Sequence, residues 1–125
     1  MSDIFATVPK DHLALYKENK IQGNRIAHLL SFNQADISKA TGVPKSNIRY
    51  DEGRMPSELR NRIIEWATIL NLVAGYFNGD EEKTIQWFMI PNPFLGGISP
   101  RDMIKLGRYN KLIKYVINAL AENIP

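Results

Sequence analysis

Three features of the sequence predict an all-helical fold. Strand signals are nearly absent along its 125 residues. From Ser57 to Phe77, apolar residues recur at every third or fourth position, the period of an α-helix. Three other segments open on residues suited to capping a helix: Asn33 with Asp36 three residues on, Asp80 before Glu81, and Ser99 followed by Pro100. The expectation is about seven helices in two parts, residues 1–55 and residues 56–125, joined near Met55.

The hydrophobic content of 44% supports a packed core and is not that of a disordered tail. The absence of cysteine excludes a disulfide framework and a thiolate metal site. No apolar run preceded by positive charge opens the sequence, so no secretory signal is expected. The apolar run Leu70–Phe77 is too short to span a bilayer. A cytoplasmic location fits these features, and no membrane association is expected.

The net charge of +3 is unevenly spread. Asn33 to Arg62 holds six basic and four acidic residues, and Ser99 to Pro125 holds five basic and two acidic. Ile63 to Ile98, between them, holds one basic and four acidic residues. The first basic end could face DNA and the second an acidic partner, or both could be ordinary solvated surface.

The N-terminal part begins with isolated apolar residues, of which Ile4, Phe5 and Val8 could tuck against the body. A short helix is read over Asp11–Glu18, although its apolar register is poor. Gln22–Leu30 is a clearer helix, with Ile26, Leu29 and Leu30 on one side. His12 and His28 each lack a partner at ligand spacing and read as surface or half-buried residues. Asn33 and Asp36 start the next helix, and Gly42 breaks it. Pro44 then permits a helix over Lys45–Tyr50. Ile37, Ala40, Val43 and Ile48 would form the core between the two, which makes the segment resemble a helix-turn-helix. In a DNA-binding version the second helix enters the major groove. Ser46, Asn47 and Arg49 would read base edges, while Lys39 and Lys45 suit phosphates. Against this stand Asp51 and Glu52, whose carboxylates would repel phosphates, and the alternative of a helical pair that only packs.

In the C-terminal part, the long helix carries Leu59, Ile63, Trp66, Leu70, Val73 and Phe77 on one stripe. A second stripe holds Ile64, Ile69, Leu72 and Tyr76. Such a helix is either central to one domain or shares its outer stripe with a second copy. Asn78-Gly79 turns the chain into a helix from Glu81, packed through Ile85, Phe88 and Met89 and ended by Pro91. Gly96-Gly97 makes a turn, Ser99–Leu106 a short helix, and Tyr109–Ala121 the last one. Leu112, Val116, Ala119 and Leu120 form its apolar stripe, broadened by Ile113 and Ile117.

Trp87, then Pro91-Asn92-Pro93, Leu95-Gly96-Gly97, Ser99-Pro100 and Leu106-Gly107-Arg108, resembles the toxin-binding domain of the Xre/MbcA/ParS-like antitoxins over roughly the last half of the chain. The order of a helix-turn-helix-like part followed by this motif strengthens the likeness. The resemblance implies a homodimer that covers a RES-domain toxin, an NAD-consuming enzyme, and that autoregulates its operon by binding operator DNA. It implies a toxin-binding surface of Arg108, Lys111, Lys114, Ile117, Asn118, Ala121, Glu122, Asn123, Ile124 and Pro125. The chain departs from its relatives at the end, where Asn123 stands in for a turn glycine. A transcriptional regulator without a toxin partner is the alternative, and a partition accessory a third.

No chemistry of its own is expected. The sequence has no phosphate-binding glycine loop and no metal-ligand spacing. Glu81 and Glu82 diverge on a helix, and Ser46 and Ser99 read as helix starts rather than nucleophiles. Neither enzyme activity, nor a cofactor, nor a metal is expected.

Overall fold

The computed structural model describes residues 9–122. It is an all-α, multi-helix fold with one small antiparallel hairpin near its start.

That hairpin replaces the helix expected over Asp11–Glu18. Strands Tyr16–Lys17 (β1) and Lys20–Ile21 (β2) pair antiparallel, with Tyr16 opposite Ile21. The physical cause is a competing set of side-chain bonds. The Asp11 carboxylate accepts from the backbone N–H of Leu15 at 2.8 Å and of Tyr16 at 3.0 Å. Buried Asn71 accepts from Leu13 N–H at 3.2 Å and donates to Asp11 at 3.1 Å. Arg25 donates twice to the Leu13 carbonyl, at 3.1 and 2.8 Å. Leu13 and Leu15 are buried and Ala14 is exposed at φ 53°, in the left-handed region, so the chain turns here instead of winding into a helix. Ile4, Phe5 and Val8 lie outside the described residues.

The helices follow at Gly23–Leu29 (α1), Gln34–Thr41 (α2), Ser57–Tyr76 (α3), Glu81–Met89 (α4), Pro100–Lys105 (α5) and Tyr109–Glu122 (α6). Their starts are the expected ones. The Asn33 side chain accepts from Asp36 N–H at 2.8 Å, and the Asp36 carboxylate accepts from Asn33 N–H at 3.0 Å, a complete capping box. Asp80 caps α4 through Lys83 N–H, and Ser99 caps α5 through Asp102 N–H. Gly42 ends α2 at φ 79°, a conformation that a side chain disfavours.

A second correction concerns Lys45–Tyr50. Only Lys45–Asn47 is helical, as a single 3₁₀ turn, and Ile48 is already extended. Ser and Asn offer the backbone competing bonds and hold a helix weakly. Ile48 is buried, and Tyr50, two residues on, packs over Gly23, where an added Cβ would stand 2.5 Å from its ring. Side chains two apart share a side in extended chain, not in a helix.

One hydrophobic cluster runs from Leu13 to Val116, and buried Met55 belongs to it, so the core does not break at the Met55 junction. Trp66 of α3 is fully buried and meets Phe32 edge-on at 5.4 Å between ring centres. Ile69, placed on the outer stripe from the sequence, is buried; Leu72 is half-buried, while Ile64 and Tyr76 stay exposed. His12 lies half-buried against Gly75 of α3, and His28 is exposed, both as expected.

The halves are fastened by α5. Arg101 Nε donates to the Leu30 carbonyl at 2.6 Å and Nη2 to the Ser31 carbonyl at 2.7 Å, with its guanidinium 5.0 Å from the centre of the Phe32 ring. One turn on, Lys105 Nζ lies 3.1 Å from the Asp36 carboxylate, with Arg101 3.5 Å away from the same group.

Candidate interaction surfaces

Between α4 and α5 the chain closes a small loop. Asn92 N–H donates to the Ile98 carbonyl, and the Asn92 carbonyl accepts from Leu95 and Gly97, each at 3.0 Å. The Asn92 side chain accepts from Phe94 N–H at 2.9 Å, opening a 3₁₀ turn over Pro93–Leu95. Gly96 and Gly97 both take positive φ, near 80°, to bring the chain back. The turn lifts Phe94 out of the fold at 81% exposure, the highest of the large apolar side chains among the described residues. Leaving a phenyl ring in water forgoes about 2 kcal/mol of burial.

Beside this loop, Tyr115 of α6 borders three adjoining hollows. The first, about 390 Å³, lies between α3, α4 and α6 and is lined by Val73, Tyr76, Phe77 and Trp87 among others. A second, about 310 Å³, runs from Trp87 and Ile90 to Phe94. The third, about 490 Å³, lies between the loop and α6, lined by Phe94, Leu95, Gly96, Met103, Arg108, Lys111 and Tyr115.

The outer face of α6 carries most of the residues that the family resemblance selects. Lys111, Lys114, Asn118, Ala121 and Glu122 are exposed, and at 3.6 residues per turn they fall within an arc of roughly 100°. Arg108, just before the helix, is exposed at its near end. Ile117 does not join them. It is 6% exposed and turned into the protein, because it belongs to the apolar side of the helix with Val116 and Leu112. Asn123, Ile124 and Pro125 lie outside the described residues.

The chain matches no family model, and no curated protein matches it significantly. The resemblance to the antitoxins therefore stays an expectation drawn from the motif.

A second surface surrounds the turn after α2. Lys39, Lys45, Ser46, Asn47 and Arg49 are all exposed, as a DNA-contacting role requires. The helix expected to present Ser46, Asn47 and Arg49 to base edges is absent, so they sit on a turn and the extended segment after it. The two carboxylates expected to repel phosphates are both paired, Glu52 with Arg60 at 2.8 Å and Asp51 with Arg54 at 3.8 Å.

A third cluster, between α3 and α6, surrounds a cavity of about 120 Å³ lined in part by Arg62, Glu65 and Tyr109. Arg62 Nε lies 3.0 Å from Glu65 without a hydrogen-bond alignment. Burial pushes the Glu65 carboxyl up, while Arg62 pulls it down. Burial, then the Glu65 charge, holds the Tyr109 phenol above its usual range. The described residues contain no grouping of His, Cys, Asp or Glu suited to a metal ion, and no described helix is long and apolar enough to cross a membrane.

Neither Phe94 nor Tyr115 is among the contact residues expected from the sequence. The signal available for Phe94 was its position between Pro93 and a Gly-Gly turn, where an apolar side chain is held away from the core.

Proposed function

We propose that this chain is a cytoplasmic antitoxin that binds and covers a RES-type, NAD-consuming toxin through its C-terminal part. The observation that carries the reading is the exposed arc on α6. Lys111, Lys114, Asn118, Ala121 and Glu122, selected from the motif resemblance, lie side by side on one helical face, with Arg108 at its end. Next to it, Phe94, Tyr115 and Trp87 supply the apolar material that the centre of an interface needs, with the cations at its rim. In this reading residues 56–125 form the toxin-binding and dimerisation part, and exposed Ile64 and Tyr76 on α3 serve the contact between copies.

The test is co-expression with the product of the adjacent reading frame, scored for growth and for a purified complex. Rescue of growth together with a stable complex is expected. A toxic neighbour that neither binds nor is relieved would reject the reading.

A second role, autoregulation by DNA binding through residues 1–55, is supported by the exposed Lys39, Lys45 and Arg49 beside carboxylates that each have an arginine within 3.8 Å. A three-residue 3₁₀ turn is only about 6 Å long, which favours phosphate contacts over base readout. The same surface serves the alternative, a regulator with no toxin partner.

A further inference from the structure

We propose that the groove between the Asn92–Ile98 loop and the start of α6 seats an acidic segment of the toxin that carries one apolar side chain. This rests on the toxin-binding reading and gives it a site away from the end of α6. The floor is apolar, formed by Leu95 and Met103, and its walls are the Phe94 and Tyr115 rings. Its rim holds two cations, Arg108 and Lys111, and its lining holds no carboxylate. Both cations are exposed, and among the described residues neither is in an ion pair. A volume of about 490 Å³ accommodates a side chain and the backbone on either side of it.

Charge decides the occupant. A second copy docking the same face about a two-fold axis would set Arg108 and Lys111 against their own equivalents, a like-charge contact that opposes pairing. A segment with carboxylates flanking an apolar side chain satisfies floor and rim together. A nucleic acid strand would meet the two cations but leave the aliphatic floor without a partner.

The experiment uses the full chain purified in complex with the product of the adjacent reading frame. Phe94 is replaced by the photocrosslinking residue p-benzoylphenylalanine in one sample. Phe94→Ala and the double exchange Arg108→Glu with Lys111→Glu are compared for affinity in others, each first shown to keep the wild-type circular dichroism and melting temperature. Crosslinking to a carboxylate-bearing segment of the toxin is expected, with affinity lowered roughly tenfold or more by each variant. A wild-type complex that both variants leave at full affinity overturns the site but spares the antitoxin reading. So does a crosslink to a second copy of this chain. Failure of the wild-type protein to bind the toxin overturns both. Capture of fluorescent oligothymidine, weakened by the same variants while toxin affinity is unchanged, overturns the assignment of the groove to a protein segment.

Discussion

The Lys105 ammonium lies 3.1 Å from the Asp36 carboxylate, so the residue that completes the cap of α2 is also held by α5. The Asn33 backbone N–H, then Lys105 and Arg101, draw the Asp36 carboxyl below its ordinary value of 3.8, against the opposing effect of burial. A carboxyl whose pKa is lower in the folded state stabilises the fold fully above its unfolded value. That stability fades as pH falls toward the folded value. As pH falls through and below the ordinary aspartate value, wild-type protein is expected to lose melting temperature more steeply than Asp36→Asn. Parallel melting curves across that range would show that Asp36 is not the coupled group.

Arg101→Ala is expected to destabilise the protein by about 2 kcal/mol, although Asp36 keeps Lys105 as its nearer cation. Its side chain also serves the carbonyls of Leu30 and Ser31, which would lose their donor. Urea unfolding measures this directly. Arg101→Lys is expected to recover only part of the loss, because an ammonium lacks the planar fork that reaches both carbonyls. Full stability in either variant would mean that α5 is held by its apolar contacts alone.

Asn71→Ala is expected to cost about 2 kcal/mol, since it leaves the buried Leu13 N–H without an acceptor. The effect should be seen first at the hairpin. Amide exchange at Leu13, Leu15 and Gln22 is expected to accelerate more than exchange in the centre of α3. A uniform acceleration throughout the chain would instead mean that hairpin and helix open as one unit.

Replacing Lys45 and Arg49 with alanine together is expected to weaken DNA binding at every sequence tested and to flatten its salt dependence. Loss of two phosphate contacts lowers the slope of log affinity against log salt by about two. Fluorescence anisotropy over a salt series gives the slope. Strong discrimination between an operator and a scrambled duplex would contradict the phosphate-dominated contact expected of so short a turn.

The parts of the fold legible in the sequence are those whose causes are local. The α2, α4 and α5 starts follow from a capping side chain that accepts from the backbone N–H three positions on, and α3 from its own apolar period. The hairpin was not legible because Asn71, one of its organisers, stands 58 residues from the Leu13 N–H it accepts from. The missing helix after Pro44 has a similar cause. Burial of Ile48 and the fit of Tyr50 over Gly23 set an extended chain where local signals allow a helix. On α6, the helical period puts Ile117 with the apolar side while the family resemblance counts it among the contact residues, and its burial follows the period. Exposure of Phe94 depends on nothing packing over it, which no local pattern encodes.

The loop that carries Phe94 is closed by backbone bonds on both sides of the ring, from Asn92 to Gly97 and Ile98. Its ordering entropy is therefore spent during folding rather than at encounter. A partner docking here would meet an anchor already in place, and its association would be governed by collision and electrostatic steering. Asn92→Ala, which removes the side-chain acceptor of the Phe94 N–H and so loosens the turn beneath the ring, would lower the on-rate at an unchanged set of contacting side chains, separating the geometry of presentation from the chemistry of contact.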